Sequence, residues 1–281
     1  METKTIKINK KTQCSSLDAR SLYLRKLIIM AAEKAKRGHF GGALSMIEIL
    51  RVLYDDIMQY RPKDPRWKKR DRFILSKGHG CLALYAILAD KGFFSIDELK
   101  DCFQKNSCLG GHPEIGKVLG IEASTGSLGH GLSLGIGMAL AIRMQNNKSR
   151  VFVLLGDGEL NEGSIWEAAM YASKHKLANL TTIIDYNKVQ SAGTTKEILD
   201  LEPLVEKWKS FGFQTKEVDG HNLKELKKVF EGLPFKKDKP SAIICHTVKC
   251  KGIPFAEDDA KWHYKRIDDA MIKKMYAALG E

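Results

Sequence analysis

The sequence predicts an α/β fold, an open and mainly parallel sheet with helices on both faces. Two observations carry this. Short apolar runs alternate along the chain with segments of helical periodicity, the pattern of a parallel sheet covered on both sides. Four of the five runs end directly in glycine-rich or polar motifs, and ligands bind at that edge of an open parallel sheet.

Apolar residues recur at helical spacing over 16–37, 45–58, 80–91, 129–145, 163–176, 222–232 and 268–279. Ser95 and Glu98 make a capping box for another helix ending near Gln104. The strand-like runs are 73–75, 151–155, 181–185, 213–218 and 242–246. At 281 residues, with no repeat, linker or composition break, the chain reads as one domain, 1–281. Residues 1–15 form a polar, lysine-rich extension without the apolar stretch of a secretory signal.

Other classes fit poorly. The net charge is +12, but Lys and Arg are scattered and no nucleic-acid motif accompanies them, so no nucleic-acid partner is expected. Residues 123–142 lack charge and are long enough to span a membrane. They open Ala-Ser-Thr-Gly-Ser-Leu-Gly-His-Gly, too loop-like for lipid, and predict a glycine-rich loop followed by a buried helix. The six cysteines (14, 81, 102, 108, 245, 250) show neither a C-x-x-C pair nor zinc spacing, which suits reduced thiols and a cytoplasmic location.

The run 151–155 meets Gly156-Asp157-Gly158-Glu159, an odd place for carboxylates, because burying them unpaired is costly. A function explains them. The glycines let the backbone approach a ligand, and Asp157 is a hard oxygen donor suited to Mg²⁺ or Ca²⁺. Asn187, after the next strand, adds a second oxygen without adding charge. The 28 residues between Gly158 and Asn187 suffice for a helix that crosses to a neighbouring parallel strand. Five histidines (39, 79, 112, 130, 221) directly follow glycine, which leaves them free to meet a ligand.

The spacing GDG-x₂₈-N resembles the thiamine diphosphate fingerprint. RDRFILSKGHG, GGHPE, STGSLGHGLSLGIGMA and GDGELNEGSIWEA resemble the amino-terminal half of transketolases, in the family's order, from about Leu17 to Tyr264. The resemblance implies a thiamine diphosphate-binding domain whose Asp157, Asn187 and Val189 carbonyl hold the divalent ion. Gly126, Leu128, Gly156, Gly158, Glu159 and His263 would face the cofactor. His39, His79, His112 and His263 would handle the hydroxyls and carbonyl of a ketose, and Glu162 would join a carboxylate network between paired subunits. His130 stands where the long enzymes usually carry Gln, and Lys77 where they often carry a small or amide residue. His175, His221 and His246 read as structural.

In transketolases the glutamate that activates the cofactor lies in a second, pyrimidine-binding domain, as do most residues that clamp the sugar phosphate. No second unit of that kind is visible before Glu281. The resemblance therefore implies the amino-terminal subunit of a split transketolase. A separate carboxyl-terminal subunit would complete it, most simply as α₂β₂, and together they would move a two-carbon ketol unit between sugar phosphates. GGHPE and GDGELNEGSIWEA favour this over deoxyxylulose-phosphate synthesis from pyruvate. A non-catalytic protein keeping the fold would be expected to have lost Asp157, Asn187 or the glycine-flanked histidines, and all are present.

Overall fold

The five apolar runs become the strands of one parallel sheet. In the computed structural model, which describes residues 17–281, the first half contains α1 (Ala19–Glu33), β1 (Arg37–Gly38), α2 (Phe40–Ser45), α3 (Ile47–Val52), β2 (Arg72–Leu75), α4 (Cys81–Asp90), α5 (Gly131–Met144), β3 (Val151–Gly156), α6 (Gly163–Lys174) and β4 (Leu180–Tyr186). Then follow α7 (Thr195–Ile198), α8 (Leu204–Ser210), β5 (Gln214–Asp219), α9 (Leu223–Glu231), β6 (Ser241–His246), β7 (Lys265–Arg266) and α10 (Asp269–Ala278). The expected extension 1–15, with Cys14, lies outside the described residues.

The sheet order is β2-β3-β4-β6-β5, with every pairing parallel. Side chains alternate between its two faces. Phe152 and Leu154 of β3 join the core under α1 to α4, α9 and α10, whereas Val151, Val153 and Leu155 join the core under α5, α6 and α8. Burial on both faces is why β3 is apolar throughout. Each fully buried Leu or Ile contributes roughly 1.5–3 kcal/mol. Gly135 lets α5 lie close on β3, since a Cβ there would come within 2.4 Å of Val153 Cγ2. β5, at the edge, exposes Lys216 and Glu217, as protected edges do.

Some elements differ from expectation. The helix expected over 45–58 starts after Met46, which caps both it and the short α2 that the periodicity did not predict, and it finishes in a π turn over Leu53–Ile57. The Ser95 capping box is present, but it opens a 3₁₀ segment, Ile96–Asp101. The helix after the glycine-rich loop is not buried throughout: Leu134 and Met144 of α5 are 43% and 82% exposed. Among the described residues no helix is long and apolar enough to cross a membrane, and Cys81, Cys102, Cys108, Cys245 and Cys250 are unbridged.

Candidate functional site

The ends of β2, β3, β4 and β6 bring the unusual motifs together. Asp157 follows β3 directly and is 3% exposed. One of its carboxylate oxygens accepts the Gly158 N–H at 2.7 Å, and the other accepts the N–H of Lys188. Lys188 adopts a left-handed backbone conformation, φ +68°, between Asn187 and Val189. The Val189 N–H donates to the Asn187 side-chain oxygen at 3.1 Å. Asp157 is thus tied by a hydrogen bond to the same three-residue turn that carries Asn187 and the Val189 carbonyl.

A cavity of about 140 Å³ opens there. Its lining includes Leu128, Gly156, Asp157, Gly158, Glu159, Asn187, Val189, His79 and His263 from the sequence expectations. The remaining histidines stand beside it. The His39 ring centroid lies 5.3 Å from that of His79, 5.5 Å from His263 and 6.3 Å from His112. Gly126 supports His112: its φ is +146°, and a Cβ there would come within 2.8 Å of the imidazole. Tyr85 fixes the same loop by donating to the Gly110 and His112 carbonyls at 3.0 and 2.9 Å. Glu162 stands apart, exposed at the start of α6.

Glu159 is held in place by three donors. It accepts from Ser76 Oγ at 2.5 Å, Gly129 N–H at 3.0 Å and Gly156 N–H at 3.1 Å. Three loops are therefore joined by one buried carboxylate.

Four neighbours carried no assigned role in the sequence. Lys249 lines the cavity and donates to the Val189 carbonyl at 2.7 Å, with His263 Nδ1 at 3.4 Å. It stands in Thr-Val-Lys-Cys-Lys-Gly after β6, a motif whose place was legible and whose reach was not. Lys77 pairs with buried Asp185 and donates to the Gly42 carbonyl at 2.7 Å. Gln190 also lines the cavity, and its buried Nε2 has no hydrogen-bond partner.

Electrostatics follow from burial. Asp157 is pushed up to about 6 by burial and by the charge of Asp185. Burial opposes ionisation of Asp185 too, but the Lys77 charge and hydrogen bonds from Lys77, Ser45 and Thr247 hold it below its ordinary value. His39 and His263 are lowered to about 4, first by burial, then by His112 and Lys249 for the former and by Lys249 for the latter. His79 is lowered well below its ordinary value by burial and Lys77. His39, His79 and His263 are therefore neutral imidazoles at physiological pH, able to donate and accept hydrogen bonds.

The donor set suits a hard cation with an anionic ligand. One carboxylate, one amide and one carbonyl oxygen fall short of the six or more oxygens such ions take. A diphosphate would complete the set, and Lys249 and the unpartnered Gln190 amide present N–H groups for the same oxygens. The profile of the family described as transketolase, thiamine diphosphate binding domain, matches residues 18–281. The chain belongs to the transketolase family.

Among transketolase relatives, an apulose-4-phosphate transketolase subunit of Phocaeicola vulgatus is 44% identical over 252 residues, 90% of this chain and 89% of that protein. A 6-deoxy-6-sulfo-D-fructose transketolase subunit of Clostridium sp. (strain MSTE9) is 42% identical, covering 91% of this chain and 93% of that protein. Transketolase of Pichia stipitis in complex with sedoheptulose-7-phosphate superposes with a TM-score of 0.88 at 30% identity, over 94% of this chain. The chain spans 41% of that transketolase, and 40% of human transketolase, with which it shares 39% identity over 90% of its own length.

Proposed function

We propose that this chain is the diphosphate-binding subunit of a two-chain transketolase, and that Asp157, Asn187 and the Val189 carbonyl hold Mg²⁺ or Ca²⁺ against thiamine diphosphate. The observation that carries it is the hydrogen bond joining Asp157 to the Asn187–Val189 turn at the mouth of the histidine-lined cavity. When bound, thiamine diphosphate supplies the nucleophilic carbon for breaking and remaking a ketose C–C bond. Gly156 and Gly158 leave room for close approach to the diphosphate, while Lys249 and Gln190 donate to its oxygens. Gly126 and Leu128 form the loop that meets the rest of the cofactor.

On the substrate side, His39, His79, His112 and His263 orient hydroxyls and accept or return their protons, as imidazoles can. Glu159 positions the loops. Relatives of similar length are named as single subunits of a transketolase, which supports a separate partner chain carrying the pyrimidine-binding domain. An α₂β₂ assembly in the cytoplasm, with Glu162 at the contact between copies, completes the proposal. The substrates named for those relatives, apulose-4-phosphate and a sulfofructose, point to a ketose donor, and an aldose phosphate would accept the two-carbon unit.

The test is product analysis with Mg²⁺, cofactor and a ketose phosphate donor, with and without a candidate second chain. Transfer only in the mixture supports the two-chain enzyme, and full-rate transfer by this chain alone defeats it. Product formed from pyruvate, and none from the ketose, would instead assign the site to a different thiamine diphosphate reaction.

A further inference from the structure

Beneath the candidate site lies a charged group that the proposed chemistry leaves unused. Arg25 and Glu48 are 0% and 1% exposed, and the guanidinium holds both carboxylate oxygens, at 2.6 and 2.9 Å. Glu48 also meets His221 Nδ1 at 2.7 Å. On the far side of that imidazole, the Val248 N–H donates to Nε2 at 2.9 Å. Nε2 is therefore the bare acceptor, and Nδ1 carries the hydrogen that it gives to Glu48.

The group grips one short segment at two points. Arg25 Nε donates to the Lys251 carbonyl at 2.7 Å, and His221 takes the Val248 N–H. Lys249 sits between them, its ammonium against the Val189 carbonyl. Arg25 also donates to the Leu44 carbonyl at 3.2 Å, so the end of α2 is held from the same point. A buried ion pair contributes little net stability compared with well-packed apolar residues. What it supplies here is direction.

We propose that Arg25, Glu48 and His221 are positioning residues that hold segment 248–251 so that Lys249 projects its ammonium into the diphosphate site. This rests on the proposed function, in which that site takes a diphosphate. His221 is thereby more than a structural histidine, although it touches neither the cation site nor the histidine cluster.

The test titrates the full chain calorimetrically with inorganic pyrophosphate and Mg²⁺. His221→Asn places an amide nitrogen near Glu48 and withdraws the acceptor from Val248. His221→Gln reaches further and keeps that acceptor. Melting curves are recorded first, and titrations run well below the lowest midpoint. His221→Asn and Lys249→Met should each weaken binding about tenfold, the loss of one charge-assisted hydrogen bond, while His221→Gln stays within about threefold of wild type. In Lys249→Met, adding His221→Asn should cost nothing further.

Wild-type affinity in His221→Asn, or equal losses in the Asn and Gln variants, overturns the positioning role while Lys249→Met and Asp157→Ala still bind weakly. If Asp157→Ala and Lys249→Met themselves bind pyrophosphate like wild type, the diphosphate assignment falls and the positioning role falls with it.

Discussion

Lys77 and Asp185 form an ion pair almost wholly withdrawn from solvent, their side chains 2% and 0% exposed. Asp185 is the hub of the site's floor, taking hydrogen bonds from Ser45, Thr247 and the Asn187 side chain as well. Removing one partner of such a pair strands the other's charge in a poorly solvated place. Lys77→Met should destabilise the chain by about 3–5 kcal/mol in urea unfolding, and adding Asp185→Asn should restore most of the loss. A cost below about 1 kcal/mol would show that the remaining donors neutralise Asp185 unaided.

Lys77 also marks where sequence reasoning stopped. The strand run 151–155 was legible because both its faces are buried. The motifs were legible because four of the five runs end directly in glycine-rich or polar residues, one of them with carboxylates beside a buried run. The partner that Lys77 would choose was not, since Asp185 lies 108 residues away and looked like the polar end of a strand. Lys249 was hidden in the same way: its stem packs against Gly41, where a Cβ would come within 2.6 Å of Lys249 Cε. The paired strands β1 and β7 have two residues each, too few for any period. α8 has seven, beginning after Pro203 and held by the buried Trp208, so packing rather than propensity defines it.

The cation makes a direct prediction. Asp157→Ala should weaken thiamine diphosphate binding at least ~100-fold in the presence of Mg²⁺, about 2.8 kcal/mol, with an unchanged far-ultraviolet circular dichroism spectrum. Stripping the metal with EDTA should bring wild type down to the variant's affinity and leave the variant where it was. If EDTA weakened both alike, the ion would lie elsewhere.

The histidine cluster predicts a pH dependence for the ligand-free chain. His39 and His263 have ordinary values near 6.5 and are lowered to about 4, so the unfolded chain takes up their protons first. Stability linked to them is complete above about pH 6.5 and declines as pH falls toward 4. The sign is that of groups buried neutral. In NMR titrations, the His39 and His263 ring protons should hold their neutral shifts down to about pH 5. Midpoints near 6.5 would mean that the cluster is open to water. Replacing both with Gln should flatten the acid side of the stability curve.

Gly126 separates backbone strain from displacement of a working side chain. Its φ of +146° strains any L side chain, and a Cβ would also press on the His112 ring at 2.8 Å. Gly116 offers the control, because its φ is +84° and nothing lies within 4 Å of a Cβ there. Each alanine substitution should cost about 1–2 kcal/mol from backbone strain. Only Gly126→Ala should also shift the His112 ring resonances and lower kcat for ketol transfer, by at least about tenfold if His112 orients the substrate. Equal losses of kcat in the two variants would mean that strain alone is felt at the site, and would remove His112 from its proposed role.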